Sequence, residues 1–175
     1  MFINPKIAIE KGWIKGNIEQ KNIQPNAIDF TLDKLYKVND WAEFYISESG
    51  KEMRNGTEAL IISNPSNFFV GDFWKLEANS VYDGMSNMYV EIPDGVAAYL
   101  VVRSTLNRNG LFITSGLYDS GFRGHIGFVI HNRSGAAYIA PGTRVGQVIF
   151  VESENALRYA GGWNHNQGTH YMEKK

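Results

Sequence analysis

The chain of 175 residues contains no cysteine. That absence removes disulfides, thiolate nucleophiles and Cys-ligated zinc or iron–sulfur centres together. It also excludes the zinc deaminases, which need a Cys pair to hold the metal that activates water. No apolar run approaches the ~20 residues of a membrane helix, and the N-terminal MFINPKIAIE lacks the basic-then-apolar pattern of a signal peptide. Neither sign of charge is in excess. With 17 Lys+Arg against 18 Asp+Glu, the formal charge of −1 gives no global field to draw in nucleic acid, although a local basic pocket stays open. The length is about one domain's worth, and such a domain buries roughly 70% of its unfolded surface without staples. The expectation is a single domain over 1–175, working in the cytoplasm, with no membrane or nucleic-acid partner.

What the chain does have is 43% hydrophobic and 13% aromatic content, arranged in short segments. Asn4-Pro5 followed by KIAIEKG reads as a short helix: Asn4 caps it, Pro5 suits the first turn and Gly12 closes it. Ile7, Ile9 and Trp13 fit one loose apolar stripe. Beyond it, runs rich in Val, Ile, Phe and Tyr recur between Gly, Asn, Asp, Ser and Pro, the pattern of an all-β sandwich or barrel. Strands are expected near Ala27–Tyr36, Ala59–Ile62, Phe73–Leu76, Met88–Glu91, Ala97–Arg103, Leu111–Thr114, His125–Asn132, Ala137–Ile139 and Val145–Val151. Residues 38–67 are polar and turn-rich and read as a long hairpin or loop insertion.

Four segments carry candidate chemistry. Val101-Val102-Arg103-Ser104-Thr105-Leu106-Asn107-Arg108 runs an apolar strand into two guanidiniums and two hydroxyls. Arg forks match phosphate oxygens, so this segment fits an anion cradle and equally a polar strand end in water. In Gly116-Leu117-Tyr118-Asp119-Ser120-Gly121-Phe122-Arg123-Gly124, glycines flank a lone carboxylate. Asp119 there can orient or deprotonate a water, or simply be the turn residue of a hairpin. In His125–Asn132, alternation puts Ile126, Phe128 and Ile130 on one face and His125, Gly127, Val129 and His131 on the other. The last face fits a pocket floor or an ordinary solvated face. In Pro141-Gly142-Thr143-Arg144-Val145-Gly146-Gln147, Pro-Gly marks a turn, and the carboxamide of Gln147 in an apolar row must find partners in the protein or in a ligand.

In order and spacing, these segments together resemble the dUTPase and dCTP deaminase superfamily, trimeric β-barrel enzymes of deoxynucleoside triphosphates. Gln24-Pro25-Asn26-Ala27-Ile28-Asp29-Phe30 resembles the deaminase form of the first motif, and Ile92-Pro93-Asp94-Gly95 leading to Arg103-Ser104-Thr105-Leu106 the second. Asp119–Gly124 and Pro141–Gln147 resemble the third and fourth. The resemblance implies a mainly all-β fold, a dUTPase-like distorted β-barrel or jelly-roll with a short N-terminal helix. It implies that Arg103, Ser104, Thr105 and Arg108 line a triphosphate with help from Gln147, and that Thr114, Ser115 and Gly116 belong to the substrate-binding set. Asp119 would meet the sugar 3′-hydroxyl or position the attacking water. Phe122 stands where the family stacks an aromatic on deoxyribose. Residues 158–175, with Tyr159 and Gln167, resemble the deaminase lid. Mg²⁺ would arrive on the substrate's phosphates, no side-chain metal cage is expected, and the partners implied are a deoxynucleoside triphosphate and two further copies in a homotrimer.

The superfamily divides on one residue. Its deaminases carry a Glu on the strand after the third motif, and counting from Asp119 that position falls on Val129, which cannot move a proton. The favoured expectation is therefore a pyrophosphohydrolase turning dUTP into dUMP and pyrophosphate. The alternatives are dCTP deamination by an altered acid/base and a non-catalytic nucleotide-binding homologue.

Overall fold

Asn4 and Pro5 start the first helix as their chemistry predicts. In the computed structural model, which describes residues 1–154, 157–161 and 164, α1 (Pro5–Glu10) opens with Asn4 Oδ1 accepting from the Lys6 N–H at 3.0 Å. Gly12 leaves the helix at φ +69°, a left-handed turn that glycine takes without a Cβ penalty. The inner face differs from the expected stripe: Ala8 is fully buried while Ile7 is 39% exposed. A helix this short makes its closest approach through one small side chain, with Ile9 and Trp13 packed at its margin.

Beyond the helix the chain is built of strands. β1 (Ile14–Lys15) and a 3-10 turn (Gln20–Asn22) lead to β2 (Ile28–Thr31) and β3 (Lys34–Val38). The stretch expected as one strand over Ala27–Tyr36 thus breaks at Leu32 and Asp33, and its halves enter different sheets. The polar segment that follows holds β4 (Tyr45–Ser47), β5 (Gly50–Glu52), β6 (Gly56–Glu58) and β7 (Ile61–Ser63). Next come β8 (Asp72–Leu76), the long β9 (Ser80–Glu91) and β10 (Val96–Val102). A short helix, α2 (Ser104–Arg108), stands where a strand end was expected. β11 (Leu111–Thr114), β12 (Arg123–Asn132), β13 (Ala137–Ile139) and β14 (Arg144–Glu152) complete the series.

β9 is the spine of the largest sheet, whose order is β11-β12-β9-β3-β6 with β1 also paired along β9. A second sheet runs β10-β14-β2, a third β13-β8-β7, and β4 and β5 form a separate hairpin. Among the described residues these ladders remain four sheets rather than one closed ring of hydrogen bonds. The core lies between the two larger sheets, joined by Phe30 of β2 and Phe128 of β12 with ring centroids 4.9 Å apart. Each ring lies over a glycine of the paired strand: Phe30 is opposite Gly146 and Phe128 opposite Gly84. A Cβ added at Gly146 would come within 2.2 Å of Phe30, and one at Gly84 within 2.7 Å of Phe128. The alternation expected for β12 holds, with Ile126, Phe128 and Ile130 buried and His125, Gly127, Val129 and His131 only half-buried.

Candidate active site

The anion-binding candidates gather where the second sheet ends. On β14, Gln147 lies between Val101 of β10 and Asp29 of β2, and β10 delivers Arg103 just past its last residue, where it caps α2. Asp29 has no exposed surface, and its carboxylate is the centre of the group. Oδ1 accepts from Gln147 Nε2 at 2.9 Å. Oδ2 accepts from Arg144 Nη1 at 3.1 Å and Gln24 Nε2 at 3.3 Å, and lies 3.5 Å from Arg103 Nε. Arg103 Nη1 also donates to the Arg144 carbonyl, and Arg144 Nη1 to that of Lys21 at 2.6 Å. Each guanidinium side chain stays about 30% exposed, at 31% for Arg103 and 28% for Arg144, so both keep an outer side toward solvent. Ser104, Thr105 and Arg108 follow on the exposed surface of α2. This set combines fixed forks with free hydroxyls, a donor array suited to phosphate oxygens.

A second group sits on the outer face of β11 and β12. Thr114 is directly opposite Val129, and its Oγ1 is 3.2 Å from Nε2 of His131. On the other side of Val129 the ladder places Asp83 of β9, so Thr114, Val129 and Asp83 form one row across three strands. Asp83 is 8% exposed. Tyr36 continues the row on β3; burial, with Glu58 and Asp83 beside it, raises its phenol above the usual range. Ser115 and Gly116 lie exposed just past β11, with Ser115 Oγ donating to the Gly116 carbonyl at 2.9 Å.

The third group is the loop around Asp119. Tyr118 pairs with Ala98 of β10, after which Asp119 is exposed in a turn closed by Phe122 N–H to Asp119 C=O at 3.0 Å. Gly121 makes the turn at φ +89°. The phenol of Tyr118 turns inward, donates to the Gly127 carbonyl at 2.7 Å and accepts from the Gly127 N–H at 3.1 Å. It thereby satisfies both backbone groups where the β9–β12 register shifts. Phe122 is 7% exposed and lies edge-on between Tyr118 at 5.1 Å and Tyr159 at 5.4 Å. The C-terminal segment reaches this loop: Tyr159 N–H donates to Ser120 C=O at 2.7 Å, and Arg158 pairs with Asp94 at 2.8 Å. Asn164 Oδ1 accepts from the Arg123 N–H at 2.8 Å. Gln167 lies outside the described residues.

Within one chain the predicted residues therefore fall into separate groups. From Ala98, beside Tyr118, to Arg103 is five residues of extended chain, about 16 Å at strand rise. Beyond Tyr118 the loop runs the other way, with Gly121 N–H donating to Ile92 C=O. Asp119 and Phe122 thus stand at the opposite end of β10 from Arg103 and Gln147. Asp29, at the centre of the first group, was not among the site residues expected from the sequence. Its signal was an acidic residue in an apolar strand, Ala-Ile-Asp-Phe, which burial makes tolerable only with dedicated partners.

Comparison with known proteins shows the family to which the chain belongs. A family model described as dCTP deaminase-like matches residues 3–153. The chain is 31% identical over 146 residues to a probable deoxyuridine 5′-triphosphate nucleotidohydrolase of Methanopyrus kandleri, covering 83% of this chain and 89% of that one. It is 28% identical over 163 residues to a dUMP-forming dCTP deaminase of Bifidobacterium animalis subsp. lactis, covering 87% and 77%. Among solved structures, a dCTP deaminase from Agrobacterium tumefaciens is similar at a TM-score of 0.62 and 13% identity. That alignment covers 87% of this chain and about half, 48%, of the other, and it supports the fold.

Proposed function

Since the chain belongs to the dCTP deaminase-like family, we propose that it is a deoxynucleoside triphosphate pyrophosphohydrolase converting dUTP to dUMP and pyrophosphate. The observation that carries this reading is Val129. It fills the place of a deaminase's proton-shuttling carboxylate, while the phosphate-binding set and Asp119 are retained. In the proposed reaction a water oxygen attacks the α-phosphorus, the bond from that phosphorus to the α,β-bridging oxygen breaks, and pyrophosphate leaves with that oxygen. Asp119 either holds the 3′-hydroxyl, with the attacking water losing its proton to solvent, or holds that water and accepts its proton. Arg103, Arg108, Ser104, Thr105 and Gln147 bind the phosphate oxygens, and Phe122 packs against the sugar. Phosphoryl transfer is mostly positioning and charge neutralisation, which this set is equipped to supply. Among the described residues no three His, Asp or Glu side chains gather as a metal cage. The guanidiniums and hydroxyls of the donor set suit a triphosphate that carries its own Mg²⁺, which would neutralise charge on the leaving group.

The separation of Asp119 from Arg103 along β10 supports a site shared between copies, as a homotrimer would provide. Incubation with dUTP and Mg²⁺ should release pyrophosphate, and Asp119→Ala should lower the rate by about a hundredfold or more. Pyrophosphate from another deoxynucleotide but not from dUTP would overturn the base assignment.

One observation favours a second reading. Asp83 is the nearest carboxylate across the ladder from Val129 and shares its face, a position from which it can replace the missing Glu in deaminating dCTP. Ammonia release from dCTP that disappears in Asp83→Asn would establish this reading, and its absence at every pH tried would remove it.

A further inference from the structure

Asp29 is a carboxylate with no exposure whose two oxygens receive Gln147 on one side and Arg144, Gln24 and Arg103 on the other. A buried charge is tolerated only when paired and hydrogen-bonded, and a cluster serving packing alone would do as well with apolar residues of similar volume. Here the partners come from separate segments of the chain, and three of them, Arg103, Arg144 and Gln147, border the anion-binding surface. We infer that Asp29 is a positioning residue for the triphosphate: it fixes Arg103, Arg144 and Gln147 in the arrangement that receives the β- and γ-phosphates. This rests on the reading of that surface as the triphosphate site.

The inference follows from donor and acceptor counting. Arg103 turns Nε to Asp29 as an ion pair and donates from Nη1 to the Arg144 carbonyl, and Arg144 donates from Nη1 to Asp29 and the Lys21 carbonyl, leaving Arg103 Nη2 and Arg144 Nη2 and Nε without an internal bond among the described residues. Asp29 thus holds one side of each planar fork and leaves the other for a ligand. Its single negative charge against two positive ones leaves the cluster with a surplus positive charge for an incoming anion. The backbone is tied as well, since Asn22, 1% exposed, donates from Nδ2 to the Asp29 carbonyl at 2.9 Å. An amide in place of the carboxylate would present one acceptor where four donors converge, turn an NH₂ against donors and release the guanidiniums.

The test measures binding of a non-hydrolysable dUTP analogue, dUMP and inorganic tripolyphosphate to the full chain. Asp29→Asn should weaken the analogue and tripolyphosphate by about 10- to 100-fold and leave dUMP nearly unchanged, since dUMP lacks the phosphates concerned. A loss of general fold would weaken all nucleotide binding alike, and that result overturns the inference, as does unchanged triphosphate affinity. Should Asp29→Asn not fold, Gln24→Ala removes a donor to Oδ2 and keeps the charge. It should weaken the analogue and tripolyphosphate, but not dUMP, by about two- to fivefold, and an unchanged affinity for both would count against the inference. Wild-type protein that binds neither the analogue nor tripolyphosphate would overturn the functional reading itself, and this inference with it.

Discussion

Gly146 and Gly84 each form the floor under an aromatic ring, and nothing larger fits there. The contact that a Cβ at Gly146 would make is with the ring of Phe30, which is itself held by Phe128 and cannot swing aside. Gly146→Ala should therefore destabilise the fold by about 1–3 kcal/mol or more through overpacking, read as a lower urea midpoint. A change under about 0.5 kcal/mol, the size of an ordinary surface substitution, would show that the rings move freely. Tyr118 gives a second expectation. Tyr118→Phe leaves the N–H and C=O of Gly127 without their phenol partner and should cost about 1–3 kcal/mol. Burial raises the Tyr118 phenol far above its ordinary value, against a smaller opposing effect of the bond to Gly127. The unfolded chain then loses that proton first, near pH 10, so the folded form binds more protons and stability falls as pH rises past that point. Urea titrations between about pH 9 and 11 should show a shallower fall in Tyr118→Phe. An unchanged slope would assign the alkaline loss to other groups.

At the scale of elements, the strands most legible in the sequence were those with strict alternation or long apolar runs. β12 and β14 fall into this class, since the sheet buries one face of each. β9 was only half visible: its first residues, Ser-Val-Tyr-Asp-Gly-Met-Ser-Asn, carry turn-forming types, yet three neighbouring strands pair along it and override local preference. The corner at Leu32-Asp33 was hidden because both flanking strands are apolar and the switch of sheets leaves no compositional mark. Within the site, Arg103 and Gln147 were legible as polar breaks in apolar strands. Asp29 as their common partner was not, because residues more than 70 positions apart meet only through the β14–β2 ladder. The C-terminal segment makes its own prediction. Tyr159 covers Phe122 and is tied to Ser120, so Tyr159→Ala should lower stability by about 1–2 kcal/mol and raise the KM for dUTP. A variant matching the parent in both would mark the ring pair as incidental.

For the whole molecule, the distance along β10 makes a quantitative statement about assembly. If each site takes Asp119 from one copy and Arg103 from another, Asp119→Ala and Arg103→Ala are each inactive alone but complement one another. Co-refolded in equal amounts, the two should regain about a quarter of the parent's pyrophosphate release, the chance that a given site draws both intact residues in a symmetric oligomer. No recovery, with mixed assemblies confirmed by native mass spectrometry, would place the site within a single chain.

The pairing of β2 with β14 also bears on how the chain is made. Ile28 meets Val148 and Asp29 meets Gln147, so β2 is synthesised long before its partner exists. At roughly 5–20 residues per second, β2 waits about 6–24 s with its ladder groups unpaired and its apolar side chains uncovered. Such non-local pairing also slows folding itself. The newborn chain is therefore most exposed to aggregation while the ribosome is still completing it, and its yield in a cell should depend on what shields its first third during that interval.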